Sequence, residues 1–454
     1  MTSSAETNFD ILFIGSGQAA WNAALPLAKA GKKVAIVERH KIAGVCTSYG
    51  CNPKIILDGP IKTIEDARLY GGKGLDSTFS LDWPTLMRHK NSILDPLPDK
   101  LGGMLEEAGV TIVRGEAKFA DERTVVVNGE KYRADKFVIA AGQRPAMPDI
   151  PGKELLKTSD DFLYLPELPG RIVLIGAGYV AMEIASIASK AGARVEVVQT
   201  SDSVLEGFHQ PYADKLVGKM REDGVTFHFG DRAASVERRG GELVLTTENG
   251  LSLAADLVVN ATGRIPNTEG LGLEEAGVDY TEKGIVVDEH LRTSQPHIYA
   301  SGDVLDKKQP RLTPTSVFEA KYLGGLLSGA AEAPIDYPPI ATIAFTLPRI
   351  TQIGVTPEEA EQVGGYTVKP VELGQEWDFA GRGDTDAHLT LVYDGEGRLA
   401  GAAAYSREAL DIVNALTPVI ALKLSAEQAD RLIYAFPSFE SKIPTYLHQA
   451  ERPE

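Results

Sequence analysis

The chain has two cysteines among 454 residues, Cys46 and Cys51. One pair of thiols cannot brace a chain of this length, which excludes a structural disulfide framework. A disulfide in a reducing compartment is usually transient and catalytic. The bland alternative is two buried, inert cysteines that happen to lie close. Long apolar runs are also missing. No stretch reaches the roughly 18 residues of a membrane span. The N-terminal MTSSAETNFD has neither the basic nor the apolar region of a signal peptide. We therefore expect a cytoplasmic protein with no membrane partner. Basic charge is scarce: 46 Lys and Arg stand against 63 Asp and Glu, for a net charge of −17. Such a surface repels nucleic acid, and no basic run offsets it.

Glycine, by contrast, is plentiful at 45 residues, as expected for an α/β fold with many tight turns. The length exceeds one hydrophobic core and predicts about two to four domains. The first segment, FDILFIGSGQAAWNAALPLAKAGKKVAIVERH, reads as strand, glycine turn, helix and strand. Gly15, Gly17 and Ala20 fit G-x-G-x-x-A, and Glu38 closes the second strand 23 positions after Gly15. The first glycine permits a tight turn, and the second lets backbone approach a pyrophosphate. The alanine packs helix on strand, and the acid accepts from ribose hydroxyls.

RIVLIGAGYVAMEIASIASKAGARVEVVQ repeats the pattern with Gly176, Gly178 and Ala181. Two such units imply two nucleotides, one hydride donor and one bound flavin. Gln199 stands where an acid would select NADH. Thr200, Ser201 and Ser203 follow as neutral donors and Glu206 as a repeller of phosphate, so NADH and NADPH both stay open. VIAAGQRP and VVNATGRIPN read as exit strands with glycine turns at Gly142 and Gly263. After position 335 the character changes to that of a separate α+β domain.

These motifs, with GVCTSYGCNPK, TSQPHIYASGDV and LTPTSVFEA in the same order, cover essentially the whole chain. It resembles the flavin-dependent pyridine nucleotide–disulfide oxidoreductases, the family of glutathione reductase, dihydrolipoamide dehydrogenase and mercuric reductase. The resemblance implies an α/β fold of two Rossmann-like dinucleotide-binding domains plus a C-terminal α+β dimerisation domain. The expected division is 1–150 and 269–335 for the two parts of the FAD domain, 151–268 for NAD(P)H and 336–454 for dimerisation.

The resemblance also implies FAD, NADPH or NADH, a homodimer and a small-molecule electron acceptor. No residues are expected to bind a metal as cofactor. Gly15, Gly17 and Glu38 match the FAD pyrophosphate and ribose site, Ala117 the segment near the adenine, and Asp303 the flavin's ribityl or phosphate region. Gly176, Gly178, Glu183 and Arg264 match the NAD(P)H side. Cys46 matches the interchange thiol that meets substrate, and Cys51 the charge-transfer thiol. Lys54 matches a lysine by the flavin that pairs with a glutamate, here Glu183. A helix N-terminus and Lys54 would both favour thiolate over thiol.

Family members that reduce disulfides carry a C-terminal HPTxSE, whose histidine serves the partner subunit as acid–base. Here the stretch is YAFPSFESKIP, with Phe436 in the histidine's place and Ser441 in the glutamate's, beside Glu440. The histidines are at 40, 89, 209, 228, 290, 297, 388 and 448. His448 is expected to be a solvated tail residue, Tyr434 and Glu440 are better placed substitutes, and Phe436 is expected to pack in a core or interface. Val45 stands where a flavin-contacting threonine is common. Gly59 and Pro60 are expected to interrupt and kink the helix after Cys51.

The expected activity carries electrons from NAD(P)H through flavin to a Cys46–Cys51 disulfide and on to a disulfide-type acceptor. The alternatives are reduction of Cu(II), Hg(II) or a quinone, or a non-catalytic flavoprotein redox sensor.

Overall fold

The computed structural model describes residues 7–76 and 78–448. The chain forms two compact units. The first comprises Met1–Ile56, Pro84–Ala146 and Gly263–Asp336, and the second Leu57–Trp83, Met147–Thr262 and Tyr337–Glu454.

In the first unit, strand Thr7–Ile14 lies between the parallel strands Val34–Glu38 and Glu130–Ile139. Thr111–Arg114 extends one side and Ile298–Ala300 the other, again parallel. Every residue of Val34–Glu38 is buried, as expected of a parallel strand covered on both faces. The helix Gln18–Lys29 follows the first strand and buries Ala20, Ala23, Ala24 and Leu27 at no more than 1% exposure. Its small side chains let it approach the sheet closely. An antiparallel hairpin, Ala117–Asp121 with Thr124–Val127, pairs with the first half of Glu130–Ile139.

The second unit repeats the parallel plan. Its strands run in the order Thr226–His228, Arg194–Val198, Arg171–Ile175 and Leu257–Asn260, with helix Tyr179–Lys190 after the glycine turn. It also holds a five-stranded antiparallel sheet in the order Thr342–Ala344, Arg349–Gly354, Leu399–Ser406, His388–Tyr393 and Thr367–Val371. Helix Ala409–Ala421 shares a core with this sheet through Ile412, Val413, Leu416, Leu389 and Leu391. This is the α/β fold, with an α+β C-terminal part, that the patterning predicts.

The helix Cys51–Leu69 departs from expectation, because Gly59 and Pro60 lie inside it without ending it. Leu57 and Ile61 on either side are buried, and Asp58 accepts a 2.7 Å bond from Arg349. Those anchors offset the one backbone donor that proline removes. The Asp58 and Arg349 side chains are only 2% and 5% exposed. Removing one partner of such a pair leaves a buried charge uncompensated. Asp58→Ala should therefore lower stability by about 3–5 kcal/mol in denaturant titrations. Replacing both by apolar residues should recover most of that loss. A single variant within about 0.5 kcal/mol of the parent would show that the pair is not structural.

Candidate active site

Each parallel sheet ends in a turn that only glycine can make. Gly15 has φ +101, and a Cβ there would lie 2.3 Å from the Ala140 carbonyl oxygen. Gly176 has φ +99, and its Cβ would meet the Ala261 oxygen at 2.6 Å. Gly17 and Gly178, at the N-caps, face open space. Neither following helix has a side-chain cap, so first-turn amides are left for a ligand. Ala20 and Ala181 are fully buried. Both turns have the donors and the room that a pyrophosphate needs.

The register fixes the next residue of each site. Ile14 pairs with Val37 and Ile175 with Val198, so Glu38 and Gln199 hold equivalent places. Glu38 is buried and accepts from Ser16 N–H at 3.0 Å, Ser16 Oγ at 2.6 Å and His40 N–H at 2.7 Å. A carboxylate has about four acceptor positions, so one remains for a ribose hydroxyl. Ser16 was not singled out from sequence; its only signal is a small polar residue inside the glycine turn. Ala117 opens its strand and is buried. Gly142 and Gly263 have φ +67 and +138 beside the antiparallel pair Gln143–Pro145 and Arg264–Pro266.

The thiols lie at two helix starts. Cys46 is in the short helix Gly44–Ser48 and Cys51 opens Cys51–Leu69. Both are free, Cys46 half-buried and Cys51 exposed. They hydrogen-bond each other and share one proton. Cys51 is lowered to about 6, first by the bond from Cys46, then by the Thr313 hydroxyl and the charge of Lys54, against the opposing effect of burial. Cys46 is pushed up by its bond to Cys51 and by burial. The Thr313 Oγ lies 3.4 Å from the Cys51 Sγ and donates when that sulfur is ionised. Thr313 begins the helix Thr313–Ser328. Sequence reasoning quoted its motif but missed its role, since 262 positions separate it from Cys51.

Asp303 is raised by burial, with Lys307, Arg264 and Arg311 opposing. Arg264 Nη2 donates to the Gln143 carbonyl at 2.9 Å. The adjoining Gly302 N–H donates to Glu319 at 2.6 Å, and Lys307 bonds the other oxygen of that buried carboxylate at 2.6 Å. Glu319 is a third residue that sequence reasoning missed. Glu183 is buried in the second unit and accepts from the Phe345 N–H at 2.9 Å.

A family model described as pyridine nucleotide-disulphide oxidoreductase matches residues 9–320, and a model of that family's dimerisation domain matches 340–446. The chain belongs to this family. Similar proteins include a glutathione reductase of Burkholderia cepacia, 32% identical over 93% of this chain and 94% of that protein. A mercuric reductase of Staphylococcus aureus is 34% identical over 92% of this chain and 78% of that protein. A solved structure of the HOCl-induced flavoprotein disulfide reductase RclA from Escherichia coli matches with a TM-score of 0.87. It covers 97% of this chain and 99% of that one at 24% identity, a likeness of fold. The oxidoreductase family uses FAD and NAD(P)H, and the two glycine turns fit them.

The C-terminal departure takes a specific form in this oxidoreductase. Phe436 is 78% exposed, so it does not pack in a core of its own chain as one expectation had it. Ile433 beside it is 98% exposed. His448 bonds Asp430 at 2.8 Å at the surface. No described helix is long and apolar enough to cross a membrane, and no described cluster of three or more His, Cys, Asp and Glu side chains could hold a metal ion.

The depressed Cys51 sets a pH profile. Its thiolate is present above about pH 6 and lost below. Thiolate ultraviolet absorbance of the reduced protein, taken as a difference from Cys51→Ser, should rise through that pH. Thr313→Val and Lys54→Met should each move the midpoint up by about one unit, equivalent to about 1.4 kcal/mol. Cys46→Ala should move it furthest. A midpoint near the ordinary thiol value in the parent, unmoved by these changes, would remove the shared proton from the site.

Proposed function

We propose that this oxidoreductase carries reducing equivalents from NAD(P)H to the Cys46–Cys51 pair and from there to a disulfide-type acceptor with acidic leaving thiols. The observation that carries the proposal is the meeting of the two thiols at adjacent helix starts, with the Thr313 hydroxyl 3.4 Å from Cys51, an arrangement that lowers Cys51 to about 6 and raises Cys46. Gly15, Gly17, Glu38 and Asp303, with Ala117 nearby, would hold FAD, which would supply two-electron transfer between the nicotinamide and the thiols. Gly142, Gly263 and Arg264 line that side, and Gly176, Gly178 and Gln199 hold the reductant. Lys54 is the proposed charge partner of Glu183.

The chain's own residues account for the acceptor step. Cys46 passes its proton to Cys51 as its sulfur attacks one acceptor sulfur. The acceptor's S–S bond breaks, a mixed disulfide forms on Cys46 and the first thiolate departs. Cys51 gives up the proton, attacks Cys46 Sγ and expels the second thiolate. Two electrons leave the dithiol and the Cys46–Cys51 disulfide forms; a hydride equivalent from NAD(P)H and a proton from solvent would restore the dithiol. Phe436 has no proton to give, so a basic leaving thiolate finds no acid at that position. Acid assistance is worth about 10²–10⁴-fold, which favours acceptors that do not need it. The family's dimerisation domain and the exposed Ile433 and Phe436 support a homodimer.

A second reading is reduction of a thiophilic metal ion, which needs no protonated leaving group. The exposure of residue Cys51 supports it, as do a mercuric reductase among the relatives and a Cu(II) complex of RclA among similar folds.

Anaerobic titration with NADH and then NADPH should yield a long-wavelength absorption band that Cys51→Ser abolishes. Bleaching without the band would remove Cys51 from its assigned role. An aromatic disulfide should then be reduced about 10²-fold faster than glutathione disulfide, and Phe436→His should narrow that gap. Equal rates in the parent would overturn the acceptor assignment. Fast turnover of Cu(II) or Hg(II) with neither disulfide reduced would select the second reading.

A further inference from the structure

The strand Arg194–Val198, next after the helix that the second glycine turn opens, leads into a loop that carries an amide, hydroxyls and two exposed acids. We infer that this site selects NADH over NADPH, through Gln199 and the acids Asp202 and Glu206. The inference rests on the proposal that the second unit holds the reductant.

Three observations carry it. Gln199 occupies the place in its unit that Glu38 occupies in the other, directly after the strand residue paired to the glycine-turn strand. In such a place a side chain meets the adenosine ribose. The orientation of its amide is also settled. Gln199 Nε2 donates to the Ser203 carbonyl at 3.3 Å and to Ser201 Oγ at 2.7 Å. A carbonyl only accepts, so the atom facing it is the nitrogen. Ser201 Oγ donates in turn to the same carbonyl at 3.2 Å. The amide donors and one hydroxyl are thus spent within the loop. What Gln199 has left for a ligand is its carbonyl oxygen, an acceptor. A ribose 2′-hydroxyl can donate to it, whereas a 2′-phosphate offers only acceptor oxygens and negative charge.

The loop is also pinned against the glycine turn. Leu205, with φ +51, donates its N–H to the Ala177 carbonyl at 2.9 Å. Gln210 Nε2 bonds the Leu205 and Phe208 carbonyls, and Gln352 bonds that of Gly207. Between these ties the exposed residues include Asp202 and Glu206, both acidic. From Gln199 to Gln210 there is no lysine or arginine, and His209 is paired to Glu358 at 2.7 Å. Elsewhere in the unit Arg194 pairs with Glu196, Arg232 lies 3.9 Å from Glu248, and Arg221 lies over the rings of Phe227 and Phe229. A phosphate entering the loop meets its like charge and no lysine or arginine of the loop, which is a penalty against NADPH rather than a gain for NADH.

Calorimetric titration of the purified holoprotein with NAD⁺ and with NADP⁺ tests this without turnover. NAD⁺ should bind tighter by about tenfold or more at low salt, and the ratio should shrink as salt rises. Glu206→Arg should narrow the ratio by strengthening NADP⁺ binding. Asp202→Asn, a milder change at an exposed position, should narrow it less. A smaller ratio in the parent, or tighter NADP⁺ binding, overturns the selectivity while leaving the nucleotide site standing. Failure of both nucleotides to bind folded holoprotein removes the site and the selectivity together.

Discussion

The structure depends on a close approach made twice. In each parallel sheet, the turn after the first strand passes so near a neighbouring backbone carbonyl that a single carbon atom cannot be added. Gly15 does this against Ala140 and Gly176 against Ala261. The tightness has a consequence for charge. It sets the following helix start with its amides uncapped and facing open space, where an anionic ligand gains hydrogen bonds and a favourable dipole. The strand registers then deliver Glu38 and Gln199 to equivalent positions. One steric constraint therefore shapes both candidate nucleotide sites, which differ in a carboxylate at Glu38 and an amide at Gln199.

The thiols work on a different principle. Their spacing allows contact, but their reactivity comes from an unequal division of one proton. Cys51 begins a long helix, faces Thr313 and feels the charge of Lys54, so it carries the negative charge. Cys46 carries the hydrogen because the thiolate beside it accepts the bond. With Phe436 in the position of an acid–base, this local proton is the one the pair has at hand. On the proposed function, that is what would restrict the acceptors to those with acidic leaving thiols.

Several features were legible because they are local. G-x-G-x-x-A needs only a few consecutive residues to state its steric demand, and Glu38 follows at a fixed distance set by one helix and one strand. Other features were not. Ser16 reads as an ordinary small residue until its hydroxyl is seen against Glu38. Glu319 caps Gly302 and holds Lys307 in a buried pair that no spacing rule announces. Gly59 and Pro60 pointed to an interrupted helix, yet burial of their neighbours and the Asp58–Arg349 pair, 291 positions apart in sequence, carry the helix through.

By itself the sequence determined the two glycine-turn units, the neighbouring cysteines and the phenylalanine at 436, because each is a pattern within a short stretch of chain. The tertiary structure added the groups that lower Cys51, the bond from Cys46 first and then a hydroxyl brought from a distant helix. It alone decided that the Gln199 nitrogen is spent on Ser201 and the Ser203 carbonyl, since that depends on how the loop folds back on itself. Residue identity limits the chemistry a side chain can perform, and the groups the fold sets around it select which of those possibilities is used.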